Sequence, residues 1–175
     1  MGSFLLFLFS CKESSNIKMI ESNFIYEKPP FIECHASSIE ELSDGNIVIA
    51  AFGGTKEKNK DVTIWLSKKG TDKWQSPKLI ADGIINDTLR YPTWNPVLYR
   101  TISDILYLYY KVGPSPREWW GEYIFSTDQG ENWSELVRLP DSILGPIKNK
   151  PVAVSYTHLR AHETEADLVC RLLLE

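Results

Sequence analysis

Ser126-Thr127-Asp128-Gln129-Gly130-Glu131-Asn132-Trp133 follows the apolar run Tyr123-Ile124-Phe125, and an earlier copy, Ser67-Lys68-Lys69-Gly70-Thr71-Asp72-Lys73-Trp74, follows Val62-Thr63-Ile64-Trp65-Leu66. Both copies hold Ser and Trp seven positions apart. Each continues into a serine, a basic residue and apolar positions: Ser76, Lys78 and Leu79-Ile80 in the first, Ser134, Arg138 and Leu139 in the second. A repeated strand-turn-strand unit predicts repeated sheets that bury their faces against one another. In the second copy Asp128 can accept hydrogen bonds from backbone N–H groups, Gly130 permits a positive φ, and Trp133 can bury its ring beneath the hairpin. The first copy has Lys69 where that carboxylate stands, so its turn is degenerate.

Outward from this repeat, the chain from Phe31 to Pro151 reads as short strands separated by Gly, Asp, Asn and Pro, with no long amphipathic helix. Ile39 to Leu42, Ser43-Asp44-Gly45-Asn46 and Ile47 to Phe52 form the clearest hairpin, because Asp-Gly supplies a turn conformation that strands cannot. Further strands are expected at Val62 to Ser67, Pro96 to Tyr99, Ile105 to Tyr110 and Tyr123 to Ser126, all rich in β-branched or aromatic residues. Several are apolar on both faces, as strands buried between stacked sheets must be. The expected fold is all-β, a partial β-propeller of about two to three blades.

The bulk properties exclude more than they assign. A net charge of -4 gives no attraction to nucleic acid or to an anionic membrane surface. Cys11, Cys34 and Cys170 are scattered, without the spacing of a zinc site or a disulfide scaffold. Gly2 to Cys11 is apolar but too short to span a bilayer, and Leu8-Phe9-Ser10-Cys11 resembles the end of a bacterial lipoprotein signal. Residues 1–16 are accordingly expected to be a truncated signal or anchor, with membrane attachment through lipidated Cys11 and an exported location. From about Val154 to Glu175 the strand pattern gives way to Leu159, Leu168, Val169, Leu172 and Leu173 at helical spacing. That stretch resembles a translated sequencing adaptor and is read as a non-native helical tail, 154–175. His158 and His162, at metal-ligand spacing, are set aside with it. No metal or cofactor is expected.

Residues 126–133 resemble the Asp-box, or BNR repeat, of the sialidase (neuraminidase) superfamily, with Asn132 where Thr is commoner. The order of further segments strengthens the resemblance: His35-Ala36-Ser37-Ser38, Phe52-Gly53-Gly54-Thr55, Asp61 to Trp65, Arg90 to Pro96, Lys111 to Gly121 and Leu144 to Pro151. Together they look like a sialidase-like branch of bacterial BNR-repeat proteins, covering roughly Ile32 to Val152. The resemblance implies a six-bladed propeller, of which residues 17–153 would supply a part. It also implies an exo-glycoside hydrolase acting on a terminal sugar. Ser126, Asp128, Gly130 and Trp133 would be structural, because Asp-boxes in this superfamily lie far from the substrate.

The resemblance places His35 where an arginine would grip the sugar carboxylate, and Asp61 where the aspartate acid and base would stand. Histidine is a single donor and arginine a planar fork, so an acidic sugar other than sialic acid, such as a uronate, is admitted. A carboxylic acid at 61 suits proton donation to a glycosidic oxygen where burial raises its pKa. Read without the resemblance, Asp61 turns the chain into a strand, and His35 is as well explained as a structural imidazole. Arg90, Lys111, Arg117, Lys148 and Lys150, all read as turn or loop residues, are candidate contacts to an anionic sugar. Trp119 and Trp120 offer ring faces to a pyranose, and Asn95 and Asn149 hydrogen bonds to hydroxyls. The tyrosine nucleophile and its glutamate would lie further along the family's fold, so the chain by itself is expected to be poorly stable and inactive. A uronate-specific polysaccharide lyase and a non-catalytic carbohydrate-binding propeller are the competing readings.

Overall fold

The computed structural model describes residues 22–70 and 73–153. Cys11 and its apolar run, Thr71 and Asp72 of the first repeat, and the tail with His158 and His162 lie outside the described residues. Among the described residues there is no helix. The strands are β1 (Glu33–Glu41), β2 (Ile47–Gly54), β3 (Thr63–Lys69), β4 (Lys78–Ala81), β5 (Ile84–Asn86), β6 (Leu89–Arg90), β7 (Thr93–Arg100), β8 (Leu106–Val112), β9 (Trp120–Ser126) and β10 (Val137–Arg138). They form a four-stranded sheet in the order β1-β2-β3-β4, a second in the order β10-β9-β8-β7, and a small β5-β6 hairpin on the connection between them. Pairing is antiparallel throughout.

Alternation along the strands builds the core. Val48, Ala50 and Phe52 of β2 and Ile64 and Leu66 of β3 meet Trp94 and Leu98 of β7, Leu106, Leu108, Tyr110 and Val112 of β8, and Ile124 of β9 in one buried layer. The intervening residues face outward from the pair of sheets. On the second sheet Val97, Tyr99 and Tyr109 cluster there with Tyr107 and Tyr123. On the first, Phe31 packs on Trp65 at 5.5 Å and on Tyr26 at 5.2 Å. Gly53 leaves room for this ring, since a Cβ there would lie 2.8 Å from Phe31 Cγ. Each sheet is therefore apolar on both faces, as the strand composition implies.

The innermost strands β1 and β7 lie side by side. The Leu98 amide donates to Ser38 Oγ at 2.9 Å and Arg100 Nε to the Glu41 carbonyl at 2.8 Å. Both strands carry a bulge near their first residues, between His35 and Ser38 in β1 and between Trp94 and Val97 in β7. The residue with positive φ is Ala36 at 50° in one bulge and Asn95 at 43° in the other. Asparagine tolerates this conformation, whereas alanine brings its Cβ close to a carbonyl.

At the opposite end the second repeat locks its turn as its residues imply. Asp128 Oδ1 accepts from the Asn132 amide at 2.9 Å and from Ser126 Oγ at 2.7 Å, and Oδ2 accepts from Asn132 Nδ2 at 2.7 Å. Gly130 has φ 85°, and Trp133, packed on the inter-sheet layer, donates its indole N–H to the Gly130 carbonyl at 3.2 Å. The degenerate first repeat still closes a hairpin, with Lys69 bridged to Trp74 and the Gln75 amide donating to Lys68 O at 2.9 Å. Lys68 then reaches across to Glu131 Oε1 at 3.0 Å and ties the two turns together.

Two stability effects follow. Replacing Ala36 by glycine relieves the left-handed strain and is expected to raise unfolding free energy by about 1 kcal/mol, read from denaturant midpoints; a loss of that size would show the bulge to be absent. Hydrogen bonds from Asn132 and Ser126 hold Asp128 down at about 2. A depressed acid stabilises the fold above its unfolded pKa and loses that contribution as pH falls. Melting temperature should therefore drop between pH 4 and 2 in the native protein and less steeply in Asp128→Ala, whose melting temperature is already lower at pH 7.

Candidate functional site

The register sets which loops share an end. Glu33 opposes Gly54, Ile64 opposes Ala81, Thr93 opposes Val112, and Val112 opposes Trp120. The start of β1, the 55–62 loop, the β5-β6 connection, the start of β7, the 113–119 loop and the beginning of the 139–150 segment thus lie at one end. The Asp-box turn and the Leu42 to Asn46 turn lie at the other. The Thr93 amide donates to Val62 O at 3.2 Å and Gly113 N to Pro92 O at 3.3 Å, joining the loops of the two sheets. His35, Asp61, Arg90, Asn95, Trp119 and Trp120 all fall at this shared end.

Asp61 closes the 55–61 loop. Its Oδ2 accepts from the Thr55 amide at 2.8 Å and its Oδ1 from Thr55 Oγ1 at 3.0 Å, while Asn59 Nδ2 braces Thr55 Oγ1 at 2.9 Å. Partial desolvation pushes the carboxyl pKa up, but the two Thr55 hydrogen bonds and the nearby Arg90 charge outweigh it, so the pKa lies below the ordinary carboxylate value. The raised pKa that proton donation would call for is not the one this state has, because the loop wraps its donors around the carboxylate. Arg90 ends β6, partly buried, with Nε shielded from solvent and without a hydrogen-bond partner. An unpaired buried guanidinium N–H is costly, and an anion resolves it.

His35 borders one bulge and Asn95 lies within the other, and bulges re-aim side chains. The His35 ring is exposed, 5.6 Å from Phe52 and with Nε2 3.9 Å from Glu33 Oε2. Trp119 packs edge-on against Trp94 at 5.9 Å. Trp120 packs edge-on against Tyr91 at 5.7 Å, carries Arg138 over its ring at 4.6 Å, and donates its N–H to Glu122 Oε1 at 2.6 Å. Arg117 is exposed on the 113–119 loop of this end, and Lys148 and Asn149 are exposed further along the 139–150 segment. Lys150 is engaged by β1, donating to the Ile39 carbonyl and to Glu40 Oε2 at 2.6 Å.

Lys111 departs from the loop placement expected of it. It lies within β8, fully buried, on the outward face with Tyr107 and Tyr109, and its Nζ donates to the Pro146 carbonyl at 2.7 Å. The cause is its phase in the strand, two residues from Tyr109, together with the 139–150 segment folded over it. It cannot touch a sugar from there. Desolvation lowers its pKa to about 7.

Glu122 went unnoticed in the sequence. It is buried on the inter-sheet face of β9, in step with Trp120 and Ile124, and burial raises its pKa despite hydrogen bonds from Trp120 and Tyr110 and the nearby charge of Arg138. Its alternation phase was the available signal, since a charge in step with core positions must find partners. Here it fixes the Trp120 indole.

Lys111 makes a pH effect with a definite sign. A base whose folded pKa is depressed takes up its proton in the unfolded chain first, so stability falls as pH drops from about 10.5 to about 7 and is flat below. Urea midpoints between pH 7 and 10 should show this slope, and Lys111→Met should remove it.

Comparison with known proteins agrees with the repeat architecture. A family model described as a BNR repeat-like domain matches residues 45–162. The match runs past residue 153, so the boundary read at 154 rests on the sequence pattern alone. Among curated proteins, none matches the chain. Of solved structures, the Hadza microbial sialidase Hz136 aligns with TM-score 0.52 at 12% identity, over 60% of this chain and 25% of that one. A protein of unknown function from Dyadobacter fermentans DSM 18053 aligns with TM-score 0.47 at 17% identity, over 61% of this chain and 36% of that one. The chain therefore spans about a quarter of the sialidase, and the two sheets share its fold. With most of its length matched by the repeat model, the chain belongs to the BNR repeat-like domain family.

Proposed function

We propose that the loop end built around Asp61 and Arg90 binds the terminal acidic sugar of a glycan, in an exported, lipid-anchored glycoside hydrolase of sialidase-like type. The observation that carries this reading is the unpartnered Nε of Arg90, on a loop end where its charge reaches the Asp61 carboxylate. A planar guanidinium accepts a sugar carboxylate through two parallel N–H donors. Asp61 is then the proton donor to the leaving oxygen.

The low pKa of Asp61 fits this role through the substrate itself. In the free protein Arg90 helps to hold Asp61 ionised. A bound carboxylate neutralises Arg90 and adds a negative neighbour, and both changes push the Asp61 pKa up toward the protonated form that general acid catalysis needs. The exposed faces around the bulges at His35 and Asn95, with the Trp119 side chain, supply hydroxyl contacts and an apolar wall.

A lyase acting on a uronate is the second reading, favoured by the ionised state of Asp61, which suits a base better than an acid. In that case Arg90 would neutralise the uronate carboxylate while Asp61 removes the adjacent C–H proton.

Turnover of 4-methylumbelliferyl sialoside and glucuronide, and of an unsubstituted oligouronate, by a version of the protein that also carries the nucleophile the resemblance implies, separates the readings. Hydrolysis predicts a loss of about 10²-fold or more in kcat for Asp61→Asn. It also predicts kcat/KM falling as pH rises. Arg90→Ala should weaken binding of the acidic sugar by about tenfold or more. An ultraviolet-absorbing unsaturated product identifies the lyase. Unchanged function in Asp61→Asn leaves a binding module.

A further inference from the structure

Beside the candidate site, the 113–119 loop and the 139–144 segment enclose a cleft of about 370 Å³ lined by Arg117, Trp119, Trp120, Arg138, Asp141 and Leu144, among others. We infer that this cleft is a second sugar site, for an acidic residue of the glycan chain one or more units removed from the terminal sugar. The inference rests on the reading of the protein as glycan-binding, and it assigns a role to Arg138 and to the outer edge of the second sheet.

The wall of the cleft is held rigid from within. The Trp120 N–H is fixed by buried Glu122 at 2.6 Å and the ring edge by Tyr91 at 5.7 Å. Arg138 lies over the Trp120 ring at 4.6 Å, its guanidinium positioned before any ligand arrives. A stacked guanidinium keeps its in-plane N–H donors for a carboxylate or sulfate, the use for which arginine is suited and lysine is not. Its ion pair with Asp141, at 3.6 Å between two exposed groups, is too long for a hydrogen bond and easily exchanged for an incoming anion.

The floor is equally specified. Gly121 lets the 139–144 segment lie directly on β9, since a Cβ there would come 2.4 Å from the Leu144 carbonyl, and the Leu139 amide donates to Gly121 O at 2.9 Å. Arg117 stands on the opposing loop. Glu118, the acid beside it, also lines the cleft and accepts from Ser115 Oγ at 3.1 Å. The volume suits one or two pyranose rings, and the pairing of cations with indole walls suits rings that carry acid groups.

The test is binding of galacturonic acid and of tri- and tetragalacturonate to the protein, followed by tryptophan fluorescence and calorimetry, with maltotriose as the neutral control. Trigalacturonate is expected to bind at least tenfold more tightly than the monomer and far more tightly than maltotriose. Arg138→Ala should remove that advantage, about tenfold, without altering monomer affinity, and Arg138→Lys should not restore it. Arg90→Ala should instead abolish monomer binding. Arg138 is exposed on an edge strand, so both variants retain the core. Equal trimer affinity in Arg138→Ala, or trimer binding no tighter than maltotriose, overturns the inference. Loss of trimer binding in Arg90→Ala alone defeats the second site and leaves the first; an Arg138-dependent advantage that is indifferent to Arg90 defeats the first and leaves the second.

Discussion

Everything in this molecule depends on two twisted sheets pressed face to face across one apolar layer. Neither could stand alone. Four short strands have two apolar faces and too little area to bury either, and a lone sheet of this composition would expose Val48, Phe52, Ile64 and Leu66 to water. Stacking removes that cost on one side of each sheet. The other sides are covered in part by Phe31 and Tyr26 on the first sheet and by the 139–150 segment on the second, and Tyr107 and Tyr123 remain only partly covered.

The stack also determines where chemistry is possible. Because every strand is antiparallel to its neighbour, alternate loops come together at one end, and the short Asp-box turns are confined to the other. The structural end is dense in hydrogen bonds that serve geometry, from Asp128 to the Lys68–Glu131 link. The loop end holds Ala36 in a left-handed bulge and Arg90 with a shielded, unpartnered Nε, while the structural end has left-handed residues of its own in Asp104 and Gln129. Such costs persist where a ligand repays them. In the proposed reading, binding of an acidic sugar would offset the one at Arg90.

Much of this was legible in the residues. The paired Ser and Trp spacing announced the repeat, Asp44-Gly45 the first hairpin, and the double-faced apolar strands the stacking of sheets. The convergence of Asp61, Arg90, Asn95 and Trp119 at one end follows from that topology once the strands are placed. What was hidden depended on strand phase and on neighbours distant in sequence. Lys111 reads as a loop cation because Val112-Gly113-Pro114 follows it, yet its alternation with Tyr109 sends it under the 139–150 segment. Glu122 looks like a surface charge until the Trp120 indole is placed against it, and nothing in the sequence shows that Arg138 lies over that ring. The lowered pKa of Asp61 comes from Thr55, six residues away, whose donors no pattern in the chain advertises.

The side-by-side packing of β1 and β7 is the geometry from which the shared loop end and both proposed sugar sites derive, and it can be observed directly. A nuclear Overhauser measurement on the protein should show a strong contact between the Leu98 amide proton and the Ser38 side-chain protons, as the 2.9 Å hydrogen bond requires. Absence of that contact in a folded sample, with β1 and β7 instead merged into one continuous flat sheet or replaced by helix, would contradict the account at its root.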